Sequence, residues 1–232
     1  LWFRVAPQLA KSHRVILIDN RGSGQTQVQH YVVHRVQHMA ADVVSVIAAA
    51  GEASAHVVGF SMGGMIAQQL VIDFPQRVRS LALLGTHSGG PWAVQAEPKV
   101  RQLLFDKATM SAEDSLHAMR PYTYARDTSD ALFDEDALVR LTNQPSARAY
   151  QAQPYALIGW SAYLDLPRFK CPTLVMHGLQ DELIPPANAR RTAERIPGAQ
   201  LIELPDASHW LMTDQNAQVL AALREHIDPH TR

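Results

Sequence analysis

Gly59-Phe60-Ser61-Met62-Gly63 spell G-x-S-x-G directly after a short apolar run, 55–59 (AHVVG), and directly before a helix-like stretch, 62–74. A strand that turns sharply into a helix lifts one serine above the sheet edge. Glycines two residues to either side remove Cβ atoms that would collide in so tight a turn. Ser61 is the candidate nucleophile. A glycine-rich turn whose serine merely caps the next helix has the same spelling, so the rest of the chain must decide.

A serine hydroxyl is a poor nucleophile at neutral pH and needs a base to take its proton, with a third group to hold that base in the right tautomer. In the elbow arrangement these follow in the order Ser, then Asp or Glu, then His, on loops after later strands. After the run 173–177 (TLVMH) comes Gly178-Leu179-Gln180-Asp181-Glu182. Asp181 is the candidate acid, with Glu182 the neighbour most easily confused with it. After the run 200–204 (QLIEL) comes Pro205-Asp206-Ala207-Ser208-His209-Trp210. His209 is the candidate general base, and Asp206 is read as shaping the turn. His30, His34 and His38 are spaced to align on one helix, but only part of that segment looks helical and no carboxylate or cysteine ligand accompanies it. No metal site is expected there. His87 is given a structural role, and Cys171, the single cysteine, that of a small buried hydrophobe.

To present these side chains together, the elements must alternate. Continuous apolar runs at 14–19 (RVILID), 55–59, 79–84 (RSLALL), 173–177 and 200–204 suit strands covered on both faces. Helical patterns lie between them at 36–50, 62–74, 186–196 and 214–227. Strand then helix, repeated, predicts an α/β fold, a doubly wound and mostly parallel sheet. The repeat is interrupted between Gly89 and Pro167 by helical patterns such as 100–107, 132–141 and 147–157. The chain is thus divided into a core part, residues 1–88, a helical lid, 89–167, and the rest of the core, 168–232. The lid holds nine of the 16 aromatic residues, which suits an apolar cover over a cleft.

Composition narrows the partners. With 21 basic and 22 acidic residues the formal net charge is −1 and no basic stripe is present, so nucleic acid and a membrane surface are excluded as partners. A single cysteine rules out an intrachain disulfide. No apolar run reaches the ~18 residues of a membrane span. A cytoplasmic place is expected, and nothing in the sequence fixes the oligomeric state. The chain opens at Leu1-Trp2-Phe3-Arg4 as though in mid-helix, so upstream sequence is expected.

Asp19-Asn20-Arg21-Gly22-Ser23-Gly24, Gly59-Phe60-Ser61-Met62-Gly63-Gly64, His177-Gly178 with Asp181, and Ser208-His209 occur in one order along the whole chain. Together they resemble the α/β-hydrolase superfamily, and most closely its cofactor-free group of small esterases, 3-oxoadipate enol-lactonases and haloperoxidase-like perhydrolases. The resemblance implies a lid between the sixth and seventh strands, no metal or organic cofactor, and a small-molecule ester or lactone substrate. It makes the Met62 backbone N–H one oxyanion donor and places the second on a His-Gly loop ahead of Leu1, with the family's first strands. This stretch alone is therefore expected to be nearly inactive. Phe60, Trp160 and Trp210 are candidates to line the substrate site. Two other readings remain. One is a lactonase or carbon–carbon hydrolase that holds a substrate carboxylate through Arg120, Arg126, Arg140 or Arg148 of the lid. The other is a non-catalytic relative that binds a ligand in the same cleft.

Overall fold

The computed structural model describes residues 2–26, 34–143 and 155–230. Within them β1 (Ala55–Phe60), β2 (Val78–Leu84), β3 (Thr173–Gly178) and β4 (Gln200–Leu204) form one sheet in the order β1-β2-β3-β4. Every pairing is parallel, with Val57 beside Leu81, Leu83 beside Val175 and Met176 beside Ile202. The helices of two turns or more among the described residues are α1 (Val36–Ala49), α2 (Met62–Asp73), α3 (Pro98–Asp106), α4 (Ala112–Thr123), α5 (Asp130–Thr142), α6 (Ala187–Arg195) and α7 (Asn216–Ile227).

The unbroken apolar strands serve two cores, because successive side chains leave a strand on opposite faces. Leu81, Leu83 and Val175 pack with Met39, Ile66, Leu70 and Ala189 of α1, α2 and α6. Ala82, Leu84, Leu174 and Met176 pack on the other face with Val219 and Leu223 of α7. Each fully buried Leu, Val or Met contributes roughly 1.5–3 kcal/mol of transfer free energy. The doubly wound parallel sheet expected from the sequence is the observed architecture.

Three local expectations differ. The run 14–19 joins none of the four strands; it has strand-like composition, but a strand is made by its hydrogen-bonded neighbour, and Val15 instead packs on the α7 side of the sheet. The helix expected over 214–227 begins two residues later, as α7 at Asn216, after a separate single turn, Leu211–Asp214. The helix α4 was not foreseen, although its Ser111, whose side chain accepts from the Asp114 N–H at 3.0 Å, opens a Ser-x-x-Asp capping signature. The helix expected over 147–157 lies almost wholly outside the described residues.

Between β2 and β3 the chain leaves the sheet, runs through α3, α4 and α5, and returns. Its ends are closed on each other by an antiparallel bridge between Gly89 and Ser161 and by the Ala162 N–H donated to the Ser88 carbonyl at 2.8 Å.

The turn from β1 into α2 carries Ser61 at φ 52°, ψ −122°, and Ser61 is the one non-glycine residue at positive φ among the described residues. Such strain persists only where the surroundings over-determine it. Here the Ser61 N–H continues the ladder to the Leu84 carbonyl at 2.9 Å, and Thr86 Oγ1 donates to the Ser61 carbonyl at 2.7 Å. A Cβ on Gly59 would stand 2.5 Å from the Gly63 carbonyl oxygen, and one on Gly64 would stand 2.6 Å from pinned Thr86. A Cβ on Gly63 would meet nothing within 4 Å. The crowding therefore falls on Gly59 and Gly64, and not on both glycines of the motif as the sequence suggested. Gly64→Ala and Gly59→Ala are each expected to lower the denaturation free energy by about 1–3 kcal/mol through overpacking. Gly63→Ala, inside a helix, is expected to be neutral or stabilising by about 0.5–1 kcal/mol. Urea midpoints of the three variants check the order.

Candidate active site

Ser61, His209 and Asp181 leave the carboxyl ends of three parallel strands, where open α/β sheets gather their chemistry. His209 Nε2 lies 3.1 Å from Ser61 Oγ, and its Nδ1 lies 2.8 Å from Asp181 Oδ2. A carboxylate only accepts, so Nδ1 carries the proton and Nε2 is left to accept from the serine hydroxyl. Ser61 is partly buried, and His209 and Asp181 are almost fully so. Met62 opens α2 immediately after Ser61.

Two loops bring the imidazole and the carboxylate together. Gly178 ends β3, and a Cβ there would strike the carbonyl oxygens of Ala207 and Ser208. The acid loop thus lies directly against the histidine loop, joined by the Gln180 N–H to the Ala207 carbonyl at 2.9 Å and by Ser208 Oγ to the Gln180 carbonyl at 3.0 Å. The segment 122–128, from the last residues of α4 onward, spans both. The Tyr122 carbonyl accepts from the Glu182 N–H, the Thr123 carbonyl from the Trp210 N–H at 2.9 Å, and the Arg126 N–H donates to Gln180 Oε1 at 2.9 Å.

Asp214 completes this strap. One of its oxygens accepts the Ser208 N–H at 2.8 Å and the Ala125 N–H at 3.2 Å, and the other accepts Thr128 Oγ1 at 2.7 Å. Periodicity placed Asp214 at the start of a long helix, and nothing local in the sequence marks it as tied to the residue before His209. Burial, reinforced by nearby Asp136, pushes its carboxyl up to about 6 against the pull of these donors. Asp181 goes the other way. Burial pushes it up, but His209 opposite and the hydrogen bonds from His177 and His209 outweigh that and hold it at about 2.

Of the aromatic candidates, Phe60 and Trp210 are brought against His209, with ring centroids 4.9 and 5.4 Å away. Trp160 is not brought to them: it is buried in the core with its indole N–H donated to Gln69 Oε1 at 2.8 Å. Glu182 is half exposed and pairs with Lys99 at 3.5 Å. His87 accepts the Gly89 N–H on Nδ1 at 2.9 Å, and burial with His177 nearby lowers its pKa to about 4. His38 lies on α1, which begins at Val36, so His34 is outside that helix; His30 lies outside the described residues. Cys171 is partly buried, and burial pushes its thiol up.

The family model of the alpha/beta hydrolase fold matches residues 1–215. The chain belongs to the α/β-hydrolase family. A pimeloyl-[acyl-carrier protein] methyl ester esterase of Chromobacterium violaceum is 28% identical, the match covering 97% of this chain and 88% of that protein. A 2-hydroxy-6-oxo-2,4-heptadienoate hydrolase of Pseudomonas putida is 27% identical over 93% of this chain and 78% of that protein. Among solved structures, a thermophilic esterase from Thermogutta terrifontis superposes with a TM-score of 0.82 at 25% identity, covering 99% of this chain and 85% of that one. This α/β-hydrolase is thus an enzyme of the hydrolase class. No helix among its described residues is long and apolar enough to cross a membrane.

Asp214 gives this α/β-hydrolase a pH signature of known sign. Its carboxyl titrates higher in the folded chain than in the unfolded one, so its contribution to stability is fully present below about pH 4 and is lost as pH rises through about 6. Asp214→Asn keeps an oxygen for the backbone donors and removes the ionisation. Relative to the parent, the Asn variant is expected to gain about 2–3 kcal/mol of stability between pH 4 and pH 7. Denaturant titrations of both chains at the two pH values measure this, and parallel curves would contradict the environment assigned to Asp214.

Proposed function

We propose that this chain hydrolyses small to medium carboxylic esters or lactones through an acyl-enzyme on Ser61. The observation that carries the reading is the run of contacts from Ser61 Oγ to His209 at 3.1 Å and from His209 to Asp181 at 2.8 Å. In the first half-reaction His209 Nε2 takes the hydroxyl proton as Ser61 Oγ bonds to the substrate carbonyl carbon. The Met62 N–H, at the positive end of α2, faces the oxygen on which negative charge develops. Collapse breaks the bond to the alcohol, which leaves with the proton from His209. Water then repeats the sequence, its proton passing to His209 and its oxygen to the acyl carbon. Asp181 holds the imidazole in the Nδ1–H tautomer and stabilises it when charged. Phe60 and Trp210, which flank His209, are read as walls of the substrate site, and residues 89–167 as a lid on a core made of 1–88 and 168–232.

Treatment of the full-length chain with a fluorophosphonate probe, followed by peptide mass spectrometry, tests this directly. An adduct on Ser61 is expected, absent in Ser61→Ala, with labelling in His209→Ala slower by on the order of 10⁴ or more. A folded, full-length chain that takes no adduct belongs instead to the ligand-binding reading.

One observation favours a narrower substrate class as a second reading. Of the lid arginines, Arg120 is held by Asp130 at 2.6 Å and Arg148 lies outside the described residues. Arg126 is exposed. Arg140 is different: its guanidinium stacks over the Trp210 ring at 4.6 Å, beside His209. A cation there suits a substrate carboxylate, as in a lactonase or a carbon–carbon hydrolase. On this reading Arg140→Met lowers kcat/KM for a carboxylated substrate by about 10–100-fold, the worth of a charged hydrogen bond. Neutral esters change by no more than about twofold on the same scale. Equal losses on both substrate types would remove the second reading.

A further inference from the structure

His177, the residue before the glycine that ends β3, is wholly buried, and the reaction above does not use it. Its Nε2 lies 2.7 Å from the Ile184 carbonyl oxygen and 3.2 Å from Asp181 Oδ2, the same oxygen that receives His209 at 2.8 Å. The other carboxylate oxygen, Oδ1, accepts the N–H groups of Leu183 at 2.9 Å and Ile184 at 2.8 Å. One oxygen of Asp181 is therefore shared by two imidazoles.

The tautomer of His177 follows from its neighbours. A carbonyl and a carboxylate only accept, so Nε2 carries the hydrogen. His177 Nδ1 is buried with no hydrogen-bond partner among the described residues, so a proton there would be a buried donor with nothing to receive it. The ring offers its Nε2–H in a fork between the Ile184 carbonyl and Asp181. His87 faces it from the loop after β2. Asp181 and His209 face it from the other two loops, while Glu182 is turned outward to Lys99.

We propose that His177 is a positioning residue for the Ser61 reaction. Its forked N–H fixes the Asp181 carboxylate where His209 meets it, and draws off part of the negative charge that steadies the protonated imidazole of His209. A bond to the Ile184 carbonyl alone would serve the loop's shape; the second arm, on the oxygen that receives His209, links His177 to proton transfer. The inference rests on the triad reading proposed above.

Asn and Gln separate the two roles, because an Asn amide nitrogen reaches the place of Nδ1 and a Gln amide nitrogen that of Nε2. In the full-length chain assayed with p-nitrophenyl butyrate, His177→Asn is expected to move the acid limb of the kcat/KM profile to higher pH by on the order of half to one unit, because Asp181 then gives its charge to His209 alone. His177→Gln returns the limb to its parent position. Unshifted limbs in both folded variants overturn the proposal. A test that needs no variant is ¹⁵N-detected NMR of histidine-labelled parent protein, which must show the hydrogen of His177 on Nε2; a ring with its hydrogen on Nδ1 alone overturns it equally. The fluorophosphonate adduct keeps the two failures apart. Histidine-dependent labelling of Ser61 with unmoved limbs rejects the role of His177 alone, whereas a parent chain without an adduct rejects the triad reading beneath it.

Discussion

A carboxylate that is 3% exposed can stay ionised only if its oxygens are filled with donors, and this requirement at Asp181 organises the end of the sheet. Two backbone N–H groups of its own loop occupy one oxygen, and two imidazoles share the other. The His209 donor is in place only where the loops after β3 and β4 lie in contact. That contact in turn needs Gly178, because any Cβ there would meet the carbonyls of the histidine loop. A glycine, a buried charge and the approach of His209 to Ser61 are thus one arrangement seen from three sides.

Asp214 shows what the same residue type becomes with a different set of neighbours. It too is largely buried and accepts three hydrogen bonds, but the charge that acts on it is a second carboxylate, Asp136, rather than an imidazole, and it is pushed up where Asp181 is held down. Asp136 is itself fully buried and is answered by Arg4 at 2.9 Å, Tyr124 OH at 3.1 Å and Thr213 Oγ1. Through these contacts α5, the N-terminal turn and the turn after His209 share one polar knot. The strap 122–128 lies against both loops of the site, so the helices inserted between β2 and β3 are mechanically continuous with the groups that hold the imidazole.

The strained backbone at Ser61 follows the same logic. A serine at positive φ is held there by ladder bonds to the strand beside it, by Thr86 and by the tight passage of β1 over the start of α2. Its position depends on two parallel cores that fix β1, β2 and α2, and hence on the unbroken apolar strands that supply both.

Much of this was legible in the sequence because it is written in short-range patterns. Apolar runs alternating with amphipathic stretches give a parallel sheet with helices on both faces, and G-x-S-x-G between such a run and a helix marks the sharp turn. Asp181 and His209 were readable because each directly follows a strand, so their common edge is implied by parallel order alone. The run 14–19 was misread because composition encodes strand propensity but not the neighbour that completes a ladder. What only the tertiary structure decided are contacts between residues distant in sequence. Gly64 rather than Gly63 is the crowded glycine because Thr86, from another strand's end, is pinned beside it. Trp160 turned into the core because Gln69 of α2 offers its indole an acceptor. Arg140 came to Trp210, Asp214 to Ser208 and His177 to Asp181 for the same kind of reason. A side chain's chemical type is local, whereas its partner, and with it its protonation and its use, is fixed only when the chain closes on itself.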